Sequence, residues 1–418
     1  MGAIRVACLP LKTGMSLCAG SARARWKRRQ CQRRSAFILS RNREHSFQHL
    51  APSARILSTE NDTSKKPQLM HNPLVGSLLG TAVGDALGLP YEGLSPRRAS
   101  RLMGKPDRYR LIAGRGLVSD DTEHSCLVLQ ALIDSRGVPE AFGRQLARRM
   151  RRWFLMLPAG VGMATARAML RSTVGYGPDR SGVFSAGNGP AMRSAILGAA
   201  IADLDQLRKL VCVSTRITHT DPKAEQGALA VALAARCARV ESDPDATAFF
   251  SLLESELVDE QAAPFRKRLN AVKASLEERQ PTTEFAASFC RPGGVTGYVL
   301  ETVPVALHAW LSHPRDFAGA VTAVIRSGGD ADTTAAITGG IVGAAVGREG
   351  IPPEWLHRLS DWPMTVTWMD GLCTCAQRSL AGESVSAPSL PVWKVLPRNL
   401  MFLAIVLGHG LRRLLPPW

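Results

Sequence analysis

Apolar residues recur at three- and four-residue intervals through most of the chain after residue 70, and that spacing predicts helices. It is clearest in "EHSCLVLQALIDS", "EAFGRQLARRMRRWFLML", "PAMRSAILGAAIAD", "DPKAEQGALAVALAARCARV", "AAPFRKRLNAVKASLEER" and "DFAGAVTAVIRS". Sustained two-residue alternation, the mark of a half-buried strand, is missing from these stretches. Pro190 and Pro222 stand at first-turn positions, the latter behind Asp221 as a candidate N-cap. The pattern predicts an all-α, compact single-domain multi-helix bundle over about residues 70–385. A basic extension, 1–69, precedes it, and a C-terminal segment, 386–418, with a short apolar helix follows.

Composition refines that picture. The chain has 418 residues, 45% hydrophobic but only 6% aromatic, so its core is built from small side chains on closely packed helices. The run "GGIVGAAVG" at 339–347 has the glycines of a dinucleotide cradle, but such a cradle needs a preceding strand and a turn. Inside a helical stretch these glycines serve close helix packing instead. Nine cysteines show no C-x-x-C pair, and Cys373 and Cys375 fall on an apolar helix, so they are expected as core thiols in a reducing, cytoplasmic compartment.

The net charge of +17 suggests nucleic acid, yet twelve Lys or Arg against two acids, Glu44 and Glu60, lie before residue 61. That stretch is Arg-rich and acid-poor like a targeting peptide, but a disordered tail or a start misplaced upstream of Met70 has the same composition and is the expected reading. No specific nucleic-acid partner is expected. Charge-driven binding would depend steeply on salt and disappear on deleting residues 1–69. No stretch reaches the ~20 apolar residues of a membrane span. The nearest, "NLMFLAIVLGHGLRRLLPPW", is interrupted by Gly408, His409 and Gly410. It is expected to dock on the domain, with association to a membrane surface as the alternative.

Two short acidic stretches carry the chemistry. "VSDDTEHSCLVLQAL" sets Ser119, Asp120 and Asp121 before one helix, and "SGGDADTTAAI" sets Asp330, Asp332 and Thr333 before another. Helix capping accounts for one oxygen-bearing residue at each place. Brought together, the two would offer four carboxylates and two hydroxyls, a donor set for hard cations such as Mg²⁺ or Mn²⁺ rather than zinc.

These motifs resemble those of the ADP-ribosylglycohydrolase family. So do "GSLLGTAVGDALGLPYE", "GNGPAMR", "THTDPKAEQGA" and "GGVTGYVLETVPVAL", and the resemblance spans about residues 73–370. It implies a binuclear magnesium or manganese site at the base of an ADP-ribose cleft, with Ser119, Asp120, Asp121, Asp330, Asp332 and Thr333 as ligands. Ala331 departs from the polar residue often found between the two aspartates, at a position expected to point away from the ions. The implied activity is hydrolysis of the glycosidic bond between ADP-ribose and a modified acceptor, a protein side chain or another ADP-ribosyl conjugate, with ADP-ribose as product. An ADP-ribose-binding homologue without turnover is the alternative, and the intact aspartates argue against it.

Glycosidic cleavage passes through an oxocarbenium-like state and needs an activated water. Asp120 or Asp121 is the candidate base, and Glu92 a candidate gate or second acid/base group. Asp85 is expected to bond backbone at a helix junction. Gly187, Asn188 and Gly189, leading into a helix begun by Pro190, are expected to turn their N–H groups towards the diphosphate. His219 is expected to face the ligand, and Tyr298 to stack on the adenine or pack the cleft wall.

Overall fold

Two helices buried on nearly every face set the architecture. In chain order, the helices that position the site are α1 (Pro73–Gly88), α2 (Asp120–Ser135), α3 (Pro139–Phe154), α4 (Pro222–Ala238), α5 (Val299–Ser312), α6 (Phe317–Arg326), α7 (Ala331–Val346), α8 (Val366–Leu380) and α9 (Val392–Arg412). They belong to a computed structural model that describes residues 72–240 and 245–414. The basic stretch 1–69 and the Met70 start lie outside the described residues. Among those residues there is no strand, only isolated two-residue bridges.

α7 is buried from Ala331 to Ala345 and α1 almost as completely, so both lack the polar face of a surface helix and form the centre of the molecule. They run antiparallel and nearly touch. A Cβ on Gly80 would lie 2.2 Å from the Gly339 carbonyl oxygen, and one on Gly339 equally 2.2 Å from that of Gly80. The glycines of the 339–347 run are therefore packing glycines. α4, α5 and α6 pack around α7, while α2 packs on α1, α3 and α8. The antiparallel crossing brings the end of α1 to the start of α7, so the turn after α1, which carries Glu92, stands beside Asp330 and Asp332.

One predicted helix is broken. The stretch from Pro190 to Asp203 forms two short helices, Gly189–Met192 and Ala195–Ala200, separated by Arg193 and Ser194. Arg193 is fully buried. Its guanidinium donates to the Ser214 hydroxyl and carbonyl, the Thr218 hydroxyl at 2.8 Å and the Gly189 carbonyl at 3.2 Å. Periodicity treats an arginine as a surface residue and does not register such an anchor.

The C-terminal helix is longer than the sequence suggests: α9 runs 21 residues, straight through Gly408–Gly410. Its inner face docks through Arg398, Asn399, Phe402 and His409, all buried, while Trp393, Leu400, Leu407 and Leu411 are exposed. No helix among the described residues is long and apolar enough to cross a membrane.

Candidate functional site

The first turn of α2 leaves N–H groups that need acceptors. Ser119 is the N-cap and its hydroxyl accepts from the Asp121 N–H at 3.4 Å. Asp85, buried in α1, accepts from the Ser119 N–H at 2.9 Å, the Thr122 N–H at 3.2 Å and the Thr122 hydroxyl at 2.5 Å. This is the junction role expected of Asp85, and burial still lifts its carboxyl to about 7. With the cap supplied by Ser119 and Asp85, the carboxylates of Asp120 and Asp121 are left over.

At α7 the same surplus arises differently. Gly328 and Gly329 adopt φ of +68° and +78°, the left-handed region that side chains disfavour. There they exchange backbone bonds with Leu94 and Val295, and Asp330 follows as N-cap without capping through its side chain. Its carboxylate instead accepts from the Asn188 amide at 2.6 Å.

The two acidic stretches meet. Thr333 Oγ1 donates to Asp121 Oδ2 at 3.3 Å across 212 positions of sequence, and the Ser119 hydroxyl donates to the same oxygen at 3.2 Å. Asp121 Oδ1 and Asp332 Oδ1 are buried with no hydrogen-bond partner. Burial pushes the carboxyls of Asp120, Asp121 and Asp332 well above the usual range, and their neighbours' negative charges push the same way. Burial also raises Asp330, against the Asn188 bond that lowers it. Among the described residues no three His, Cys, Asp or Glu side chains close on one point as an ion-holding group. Even so, unpartnered carboxylate oxygens beside two hydroxyls form an oxygen-only donor set that fits a hard divalent cation. Ala331 is fully buried in the apolar core, away from this cluster.

A cleft of about 360 Å³ opens above these groups, and Glu92, Ser119, Asp120, Gly187, Asn188, Gly189, His219, Asp330, Asp332 and Thr333 all line it. Asp121 lies just beneath, 1% exposed. Another cavity of about 400 Å³, between α2, α3 and the chain entering α9, is lined by none of the six candidate cation ligands.

Two expectations for the far end of the cleft need correcting. The Asn188 N–H donates to the Gly297 carbonyl and the Gly187 N–H to the Ser185 hydroxyl, so neither is free for an anion. Asn188 acts through its side chain instead, bridging Asp330 and the Thr302 hydroxyl. The helix begun at Gly189 has only four residues, too few for an appreciable dipole. Tyr298 pairs with Gly187 of the cleft wall through the backbone and is 37% exposed.

His219 is buried in the cleft wall beside Gly187 and Gly189. Burial, assisted by the Arg193 charge, lowers its pKa to about 3, so the ring is neutral. Arg193 can only donate to Thr218 Oγ1, whose own proton has its shortest contact, 2.8 Å, at His219 Nδ1. Nε2 is the ring nitrogen nearest Gly187. Arg193, Ser185, the Ala159–Met163 turn, Phe402 and Val406 are site or support residues that sequence reasoning missed. The arginine of "GNGPAMR" was visible, but its burial was not.

Residues 67–386 match the family model described as ADP-ribosylglycohydrolase. The chain is 27% identical over 309 residues to the ADP-ribosyl-[dinitrogen reductase] glycohydrolase of Rhodospirillum rubrum, covering 69% of this chain and 91% of that protein. It is 27% identical over 328 residues to the ADP-ribosylhydrolase ARH3 of Gallus gallus, covering 67% and 87%. A solved structure titled "ADP-ribosylglycohydrolase-related protein complex" superposes with a TM-score of 0.57 at 26% identity, covering 74% of this chain and 98% of that one.

Proposed function

The chain belongs to the ADP-ribosylglycohydrolase family, and from that premise we propose that it hydrolyses the glycosidic bond between ADP-ribose and a modified acceptor, using two Mg²⁺ or Mn²⁺ ions. The acceptor is an ADP-ribosylated protein side chain or another ADP-ribosyl conjugate. The observation that carries the reading is the meeting of the two acidic stretches at Thr333 and Asp121, with a buried, unpartnered oxygen on each of Asp121 and Asp332. A buried anionic oxygen without a partner is costly, and a cation offsets that cost.

Ser119, Asp120, Asp121, Asp330, Asp332 and Thr333 would hold the ions, which when bound supply Lewis acidity and acidify water. The rest falls to the chain. Asp120, which lines the cleft, or Asp121 beneath it takes the proton of the attacking water. Asn188 keeps the Asp330 carboxylate turned inward by its 2.6 Å bond. His219 stands in the cleft wall beside Gly187 and Gly189, facing the ligand, and Glu92 stands at the mouth as the gate or second acid/base group. Cys126 and Cys373 are buried free thiols, which suits a reducing compartment such as the cytoplasm.

The test is release of free ADP-ribose from arginine-linked, serine-linked and polymeric substrates with Mg²⁺, Mn²⁺ or chelator. Turnover of at least one, abolished by chelator, is expected. Asp330→Asn should lower kcat by a factor of about 10³, the loss of several kcal/mol of transition-state stabilisation, while circular dichroism shows the helices retained. Binding of ADP-ribose without release from any substrate would make the protein a non-catalytic homologue.

A further inference from the structure

The C-terminal helix α9 follows the family-matched residues 67–386, yet it reaches the cleft. Phe402 packs with Leu89, Leu117 and Ala159, and Phe402 and Val406 line the cleft wall. Upstream, Arg398 is 3% exposed and pairs with Glu123 at 2.6 Å and Asp361 at 2.5 Å, while also donating to the Val118 carbonyl at 2.6 Å. Val118 precedes Ser119, and Glu123 lies in the first turn of α2. The helix is thus rooted at the elements that present Asp120 and Asp121.

Its last turn grips the other side of the site. His409 Nε2 donates to the Pro90 carbonyl at 3.1 Å, and the Arg413 guanidinium donates to the Glu92 carbonyl. Arg98 in turn donates to the Arg413 carbonyl at 3.1 Å. From the body of the protein, the tip of this turn is tied by the Gly93 N–H to the Gly329 carbonyl at 2.7 Å and by the Leu94 carbonyl to the Gly329 N–H at 2.8 Å. The Glu92 carbonyl has its bond from Arg413, and the same guanidinium is within electrostatic reach of the Glu92 and Asp332 carboxylates.

We infer that α9 is a working wall of the active site, in which His409 and Arg413 are positioning residues that hold the Leu89–Leu94 turn, and with it Glu92, against the carboxylate cluster. The gate at the cleft mouth is therefore strapped from outside by a helix that lies beyond the family-matched region. The kinetic consequence rests on the hydrolase reading above; the structural one does not.

Amide hydrogen exchange on the full chain, with Arg413→Met and Arg413→Lys, separates the two. Loss of a charge-assisted bond should raise exchange at Glu92 and Gly93 about tenfold in Arg413→Met, with α2 amides unchanged and most protection recovered in Arg413→Lys. In turnover assays with Mg²⁺, Arg413→Met should lower kcat about tenfold with KM little changed, and Arg413→Lys should restore it. Unaltered exchange overturns the strap, as does faster exchange that spreads into α2, which would mean general loosening. Faster exchange at Glu92 with unaltered kcat overturns the positioning role. If the parent protein releases ADP-ribose from no substrate, the hydrolase reading falls and the exchange comparison still decides the strap.

Discussion

Asp330 and Ser119 occupy equivalent places, the N-caps of α7 and α2, and use their side chains in opposite ways. Ser119 spends its hydroxyl on an α2 amide, whereas Asp330 turns away from its helix to Asn188. Capping of α2 is thus satisfied with its carboxylates to spare, and these join those of α7 in a poorly solvated cluster. Burial raises Asp121 and Asp332 well above the usual carboxylate range, and Asp85 to about 7. A carboxyl raised in the folded state contributes stability while protonated, at pH below its unfolded value, and that contribution is lost as pH rises through the folded value. Without divalent cations the protein should therefore lose stability from this cluster as pH climbs towards neutrality and beyond. A bound cation displaces those protons, so the increase in Tm caused by Mn²⁺ or Mg²⁺ should be larger at about pH 8 than at about pH 6. Scanning fluorimetry with metal and with chelator measures it, and a shift independent of pH would contradict the assignment.

Among the elements, the contact between α1 and α7 decides whether the site exists. Gly80 and Gly339 bring two backbones together with no room for a methyl group, and this crossing delivers Asp85, Glu92, Asp330 and Asp332 to one place. Gly339→Ala should cost about 1–3 kcal/mol by overpacking, read by urea denaturation, and should weaken metal-induced stabilisation more than it lowers helix content. A wild-type metal response in that variant would mean that the crossing does not set the site. The helical pattern of the elements around α1 and α7 was legible because burial of one face imposes its period on the sequence, whereas those two are buried on nearly every face and carry no such period. The break at Arg193 was not, because a fully buried guanidinium looks like a surface residue until Ser214 and Thr218 are seen around it.

Over the whole molecule, distant stretches of chain depend on one another through buried charge. Arg398, near the C-terminus, neutralises Glu123 and Asp361 from 275 and 37 positions away. Removing one member of such a network strands its partners, so Arg398→Met should destabilise by about 3–5 kcal/mol, measured by chemical denaturation. A variant of parental stability would show that α9 is held by its apolar contacts alone.

Helix period, small-residue packing and the two acidic stretches are local properties. They follow from which side chains recur at which spacing, and the sequence by itself determined the all-α class and the six candidate cation ligands. Direction and burial depend on what the rest of the chain brings alongside, and only the tertiary structure decided those. It turned the Asn188 amide rather than its N–H to the site, sank Arg193 behind His219 and brought Phe402 and Val406 of α9 to the cleft wall. Each outcome is a competition among hydrogen-bond partners far apart in sequence, and spacing along the chain carries no information about which partner wins.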